Sequence, residues 1–264
     1  MLSSLTPLPT TFTSIRSGSS GNCLLLRGSR TSLLIDCGLK TKWETQALLS
    51  TFPVAAVIFT HGHGDHIGRY PIKVLKERKI PLFAHAKCLP HITQRLQGIK
   101  AHFKLFSDDP FQLGEFQFQA IRLTHYPGIT TYGFIITQDQ QKISILTDFH
   151  AWPKRLVKEA RNSRFIYLES NYDYDLLLKN YNPNARYHMR NETAAQLLCD
   201  IRQASDFPPS AVMLGHLSED RNRKTLALRA VRKEFQKRRA PLDFRLHVAP
   251  RYSPLSVPVP EMHS

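Results

Sequence analysis

The sequence predicts an α/β fold of two mixed sheets packed face to face, with helices on the outside. Three observations predict it. Short apolar runs rich in β-branched and aromatic residues recur in two sets; segments of helical character separate many of them; and single histidines or aspartates stand where several runs end. Leu24-Leu25-Leu26 and Ser32-Leu33-Leu34-Ile35 flank Gly28-Ser29-Arg30 and read as a hairpin. Val54 to Phe59 is a continuous apolar run, a helix is expected over Pro71 to Lys79, and Pro81 to Ala84 is apolar again, giving strand, helix, strand. Phe111 to Leu123 reads as a strand on the alternation of Phe116, Phe118 and Ala120. Tyr132 to Ile136 and Lys142 to Leu146 flank a polar turn at Gln138-Asp139-Gln140-Gln141.

The second half continues in the same way. A polar helix is expected near Pro153 to Arg161, a strand at Phe165 to Leu168, and a helix from about Asn191 to Gln203, with Asn191 as N-cap and Glu192 in the first turn. A strand at Ala211 to Leu214, a helix near Asp220 to Arg239 and a strand at Phe244 to Ala249 complete the body. The domain is expected to occupy residues 1–250. Residues 251–264 carry Pro254, Pro258 and Pro260 without a periodic apolar pattern, so they read as an extended or disordered, flexible tail.

Of the 264 residues 42% are apolar, enough to bury a sizeable core. The longest apolar runs are far shorter than the roughly 20 residues of a membrane span. The opening Met1 to Pro7 lacks a basic region followed by an apolar stretch, so a cytoplasmic location is expected. Cys23, Cys37, Cys88 and Cys199 form no CxxC pair, which argues against a zinc knuckle or a disulfide framework and for reduced, buried thiols. A net charge of +15 favours a polyanionic partner such as nucleic acid. Neither a membrane nor an obligate protein partner is expected.

His61-Gly62-His63-Gly64-Asp65-His66 puts four metal-binding side chains into six residues, directly after an apolar run. On a loop leaving a strand, His61 and His63 can grip one ion while Asp65 and His66 turn to a second, and the glycines let the backbone fold tightly around both. Imidazoles with carboxylates suit zinc, and also manganese or iron. The other candidates follow expected strands: His125 after Leu123, Asp148 after Leu146, His216 after Leu214 and Asp36 after Ile35. Strand ends of an open sheet share one rim. His125 would complete three imidazoles on the first ion, His216 would complete the second, and Asp148 would bridge them.

With these residues in place, the chain resembles the metallo-β-lactamase superfamily, whose HxHxDH motif is matched by His61 to His66, with the single ligands following in order. The resemblance spans about Ile15 to Arg251 and implies that family's αββα sandwich. It also implies that Asp36 orients the ligand loop from behind. Within the superfamily the chain is most similar to the YycJ-type branch, bacterial single-domain proteins regarded as 5′-exodeoxyribonucleases. The likeness is carried by Ser17 to Asn22 with Leu34 to Leu39, by Glu169-Ser170-Asn171, by His188 with Asn191 to Ala195, and by Leu214 to Glu219. The chain departs from the family pattern at Tyr126, where aspartate is usual, at Phe149-His150, and at Tyr187 to Asn191.

The expected activity is metal-dependent hydrolysis of a phosphodiester by a water bridging two divalent ions, as a 5′-exonuclease on DNA. Asp148 would hold the ions together and Asp65 would accept a hydrogen bond from the nucleophile. His188 is the candidate for protonating the leaving oxygen. It precedes an expected helix start that favours an anion, so His188 and Asn191 are candidate phosphate contacts. Ser218, Arg221, Arg229 and Arg232 are further candidate substrate contacts, the arginines belonging to a basic segment that follows His216. His150 could face substrate, whereas His85, His91, His102, His247 and His263 read as surface or packing residues. The alternative activity is hydrolysis of a small molecule, such as a cyclic phosphodiester, a thioester or another ester, on the same two-ion site.

Overall fold

The computed structural model describes residues 9–260. In chain order the first strands are β1 (Thr11–Arg16), β2 (Cys23–Arg27), β3 (Ser32–Ile35), β4 (Ala56–Phe59), β5 (Leu82–His85) and β6 (Phe103–Phe106). They are followed by β7 (Phe111–Leu113), β8 (Phe116–Thr124), β9 (Thr130–Gln138), β10 (Gln141–Leu146), β11 (Phe165–Glu169), β12 (Ala211–Gly215), β13 (Arg245–Val248) and β14 (Leu255–Pro258). Two seven-stranded mixed sheets result, in the orders β14-β1-β2-β3-β4-β5-β6 and β13-β12-β11-β10-β9-β8-β7.

Side-chain parity explains how the sheets stack. Along the central strands, Ile143 and Ile145, Phe165 and Tyr167, and Ala211 and Met213 enter one apolar cluster shared with Phe12, Leu24 and Ile58 of the first sheet. The intervening Leu146, Ile166, Leu168, Val212 and Leu214 face the opposite way. Successive side chains of a strand point to opposite faces, so strands covered on both sides read as unbroken apolar runs. Phe12 lies 4.5 Å from Phe165, ring centroid to centroid, across the interface. Burial of each such side chain is worth about 1.5–3 kcal/mol.

Helices cover the outer faces. On the first sheet lie α1 (Lys42–Thr51) and α2 (Arg69–Glu77), with Leu48, Ile72 and Leu75 reaching the core. A shorter helix, α3 (Leu89–Arg95), packs beside the loop after β4. On the second sheet are α4 (Leu156–Ala160), α6 (Asn191–Ala204) and α7 (Lys224–Lys237), while α5 (Tyr174–Lys179) precedes α6 in the chain. Among the described residues no helix is long and apolar enough to cross a membrane. All four cysteines are buried and free.

Several sequence expectations need correction. The tail expected to be flexible from residue 251 instead adds an edge strand: β14 pairs antiparallel with β1, Val257 opposite Phe12, and Val257 and Val259 are buried. Proline lacks an N–H to donate, which an edge strand tolerates. The remaining residues of that tail, 261–264, and with them His263, lie outside the described residues. Asn191 is not an N-cap: Arg190 holds that position, and the Asn191 side chain makes no capping bond. The helices expected from Pro153 and Asp220 start later, at Leu156 and Lys224. One expected strand is two, β7 and β8, broken at Gly114, whose φ of 59° suits a tight turn.

Candidate metal centre

The candidate metal ligands singled out in the sequence gather along one rim, where strands of both sheets end. The loop after β4 carries His61, His63, Asp65 and His66; His125 follows β8, Asp148 follows β10 and His216 follows β12. Asp36, Asp148 and His216 take left-handed backbone conformations, with φ of 61°, 56° and 55°. Such geometry costs about 1–3 kcal/mol per residue and persists where the surroundings impose it. Here the Asp36 N–H donates to Ile58 O at 2.8 Å, and the His216 N–H donates to Ser17 Oγ at 2.7 Å. The ligand loop is tied from both sides: the N–H of Asn22 donates to Asp65 O at 2.6 Å, and that of Cys37 to His66 O at 2.8 Å. The reason for Gly62 is space, since a Cβ there would lie 2.9 Å from the backbone of His91 and Ile92 in α3.

Hydrogen-bond partners decide which nitrogen each imidazole presents. His66 Nδ1 donates to Asp36 Oδ2 at 2.6 Å, His125 Nδ1 to the Tyr187 carbonyl at 2.9 Å, and His216 Nδ1 to Glu169 Oε1 at 3.0 Å. His61 Nδ1 lies 2.9 Å from Thr60 Oγ1, whose own proton goes to Asp36 Oδ2 at 2.8 Å. Each arrangement turns Nε2 toward the centre as the nitrogen that could bind an ion. Among the described residues the buried His61 Nε2 has no hydrogen-bond partner. A buried polar atom without a partner is costly, and a cation would satisfy it.

The donor atoms form overlapping groups: His61, His63 and His125; Asp65, His66 and His216; and His61, His66 and Asp148, the atoms of each lying within 4.8 Å of one another. Asp148 Oδ2 is 3.0 Å from His66 Nε2, and its Oδ1 is 3.5 Å from His216 Nε2 and 3.9 Å from His125 Nε2. It therefore stands between the first two of these groups. This set of imidazoles and carboxylates fits a pair of divalent cations.

The electrostatics of the two groups differ. Burial pushes the His61 imidazole well below its usual range, and His125 down to about 4, so both are neutral donors at pH 7. Burial also acts downward on His216, but the carboxylates of Asp148, Asp65 and Glu169 overcome it and hold the ring up at about 10. Conversely, burial acts upward on Asp65, yet the neighbouring His66 and His216 bring it down to about 2.

Other expected residues fall in different places. Asp36 is buried behind His66 and also accepts from the Thr60 N–H at 2.8 Å. His188 reaches the site, its Nδ1 2.6 Å from Glu169 Oε1 and 3.7 Å from Asp148 Oδ1. Asn191 does not. It is buried, accepts from Ser170 Oγ at 2.6 Å and pairs its amide with that of Asn222, so its expected role toward substrate is withdrawn. Ser218 is buried too, and its hydroxyl accepts from the Arg221 N–H at 3.3 Å within a turn. The Arg221 side chain is largely buried, whereas Arg229 and Arg232 are exposed on α7. His150 lines a cleft beside His125, together with Tyr126 and Tyr187.

Sequence reasoning gave no role to three side chains that shape the centre, although it named the stretches that hold them. Glu169 is fully buried, takes both His188 and His216, and accepts from the Phe149 N–H at 2.8 Å. Asn22 Nδ2 lies 3.0 Å from His66 Nε2 and 3.2 Å from Asp65 Oδ2. Asn171 Nδ2 donates to the His216 carbonyl at 2.8 Å. Glu169 ends β11 just as its neighbours end theirs, and that position was its signal.

Comparison with known proteins agrees with this geometry. The family described as "Beta-lactamase superfamily domain" matches residues 31–217. "Exodeoxyribonuclease YycJ" of Bacillus anthracis is 26% identical over 235 residues, covering 83% of this chain and 87% of that protein. "Exodeoxyribonuclease WalJ" of Streptococcus pneumoniae is 27% identical over 234 residues, covering 81% and 83%. Among solved structures, the metallo-β-lactamase fold protein YhfI from Bacillus subtilis superposes with a TM-score of 0.71 at 19% identity, over 94% of this chain and 99% of that one. With the family matched across most of its length and two sheets ending on one histidine- and aspartate-lined rim, the chain belongs to the metallo-β-lactamase superfamily and is a hydrolase of that fold.

Proposed function

We propose that this hydrolase cleaves phosphodiester bonds in nucleic acid, acting as a 5′-exonuclease on DNA. The observation that carries the reading is the pair of donor groups with the Asp148 carboxylate near both, an arrangement suited to two ions serving an in-line displacement. The likeness to YycJ and WalJ, both named exodeoxyribonucleases, supports the choice of DNA. His61, His63 and His125 would hold one divalent ion, and Asp65, His66 and His216 a second, with Asp148 between. Zinc, manganese or iron would suit these donors. Ions held there supply Lewis acidity, neutralising phosphoryl charge and acidifying water.

The chain's own groups do the rest. Asp65, the more open of the two site aspartates, would accept a hydrogen bond from the nucleophile. His188 keeps its Nδ1 proton and donates it as a hydrogen bond to Glu169 Oε1; when the ring is imidazolium, Nε2 carries the second proton and would give it to the leaving oxygen. The test is cleavage of 5′-labelled and 3′-labelled single- and double-stranded DNA and RNA by Mn²⁺- and Zn²⁺-loaded protein, with His63→Ala as control. Stepwise loss of nucleotides from the 5′ end, absent in the variant, is the expected result. Hydrolysis of small esters or cyclic phosphodiesters without cleavage of any polynucleotide would replace the reading with the small-molecule alternative.

Exposed Arg229 and Arg232 extend the cationic surface along α7. Arg229 stands five residues beyond Lys224, about 7.5 Å along the axis. By contrast, Arg238 is committed to Asp200 at 2.6 Å. Reversing both charges, Arg229→Glu with Arg232→Glu, should weaken binding of single-stranded DNA. It should also lower the slope of log affinity against log salt by about 1.4, roughly 0.7 for each phosphate no longer neutralised. Titrations between low and physiological salt measure this, and a parallel loss of small-diester hydrolysis would report misfolding instead.

A further inference from the structure

Beside His125 the rim opens into a cleft of about 850 Å³. Its walls carry Tyr126, Tyr187, His150 and Trp152, with Arg122 and Arg155, and among the described residues no acidic side chain lines it. Arg122 and Arg155 are exposed, and among the described residues neither has an ion-pair partner. Tyr126 is 40% exposed although its ring sits against the centre, 6.0 Å from His63 and edge-on to Tyr187 at 4.7 Å. The turn after it fixes its position. Pro127 and Gly128 follow, Gly128 has a φ of 77°, and the Ile129 N–H donates to Tyr126 O at 3.0 Å. Proline then a positive-φ glycine are the central residues that a tight type II turn favours. On the other wall, the carbonyl of Tyr187 accepts from His125 Nδ1, so that residue is tied to the metal centre by its backbone while its ring faces the cleft.

Resting on the nuclease reading above, we propose that this cleft binds the nucleoside next to the scissile phosphodiester, with its base laid on Tyr126 and a flanking phosphate held by Arg155 and Arg122. An aromatic face offers stacking to any base, and unpaired guanidinium groups offer charge to a phosphate; together they recognise a nucleotide without reading its sequence. A base inside a duplex already has both faces covered. The cleft therefore takes unpaired bases, which makes the polymer's single-stranded end the substrate.

The experiment compares kcat/KM on a single-stranded oligonucleotide with kcat/KM on bis(p-nitrophenyl) phosphate, for the metal-loaded wild type, Tyr126→Ala, Tyr126→Phe and Arg155→Gln. Tyr126→Ala should lower the ratio of the two by about tenfold, chiefly through KM, in line with the usual worth of one base stacked on an aromatic side chain. Tyr126→Phe, which keeps the stacking face and loses the hydroxyl, should restore it. Arg155→Gln should raise KM for the oligonucleotide and flatten its salt dependence. An unchanged ratio in Tyr126→Ala, an equal loss on both substrates, or a Phe variant as impaired as Ala would overturn the proposal. So would a wild type that cleaves blunt duplex better than single strands, with the nuclease reading left standing. Absence of polynucleotide cleavage by the wild type would remove that reading, and this proposal with it.

Discussion

Alanine at Asp148 is expected to lower hydrolysis by roughly 10³-fold, the effect of several kcal/mol of lost charge stabilisation, and to bring metal content below two ions per chain. The carboxylate is buried, and its two oxygens reach different parts of the donor set, Oδ2 toward His66 and Oδ1 toward His216 and His125. Burial alone would raise its pKa, but the surrounding histidines hold the group well below the ordinary range, so it stays ionised at any working pH. Removal leaves His66 and His216 without their shared counter-charge. Because Asp148 also occupies a left-handed backbone position, Asp148→Asn is the better-matched companion variant: asparagine tolerates that conformation and keeps the shape while losing the charge. Metal analysis, circular dichroism and turnover of a small diester should show both variants folded, metal-poor and slow. Two ions retained at full rate in either would show that Asp148 does not join the two groups.

Much of this centre was legible because its donors obey a local rule. His61 to His66 crowd into one loop, and His125, Asp148 and His216 each follow an apolar run that folds as a strand. Residues that act by long-range proximity were harder to see. Asn22 reaches His66 only because β2 and β3 bring the segment before β2 against the ligand loop. Asn191 misled for the opposite reason. Helix-start logic placed it at a phosphate, but its amide lies in a buried network with Ser170 and Asn222, which no periodicity reveals. In the fold, central strands stood out through their unbroken apolar runs, while β1 and the edge strand β14 beside it did not. β1 mixes threonine and serine into its pattern, and β14 is masked by flanking prolines although the Thr13 and Ser256 hydroxyls meet at 2.7 Å across the pair. The Thr41 and Glu44 capping box of α1 was a readable signal for a helix that the apolar pattern hid.

Glutamine at Glu169 is expected to cost 10- to 100-fold in metal affinity or turnover, about what loss of a partner behind a ligating histidine costs. Glu169 Oε1 accepts from His188 Nδ1 at 2.6 Å and His216 Nδ1 at 3.0 Å, while Oε2 accepts from the Phe149 N–H at 2.8 Å. All three partners are donors, so the site needs two acceptor oxygens. A carboxamide has one. If its oxygen faces the imidazoles, its NH₂ opposes the Phe149 N–H; if it turns over, the NH₂ meets two ring N–H groups. Either orientation leaves buried donors unsatisfied, at about 1–3 kcal/mol each. The lost charge acts in the same direction, because burial drives the His216 ring downward and Glu169 is one of the carboxylates that resist it. His216 then keeps neither its orientation nor its basicity toward an ion. The loss should appear in chelator-competition affinities and in kcat, with KM for an oligonucleotide little changed, since Glu169 is fully buried and out of reach of substrate. A variant with wild-type metal affinity and kcat would mean that Glu169 merely fills the end of β11, and that His188 and His216 are oriented by other groups.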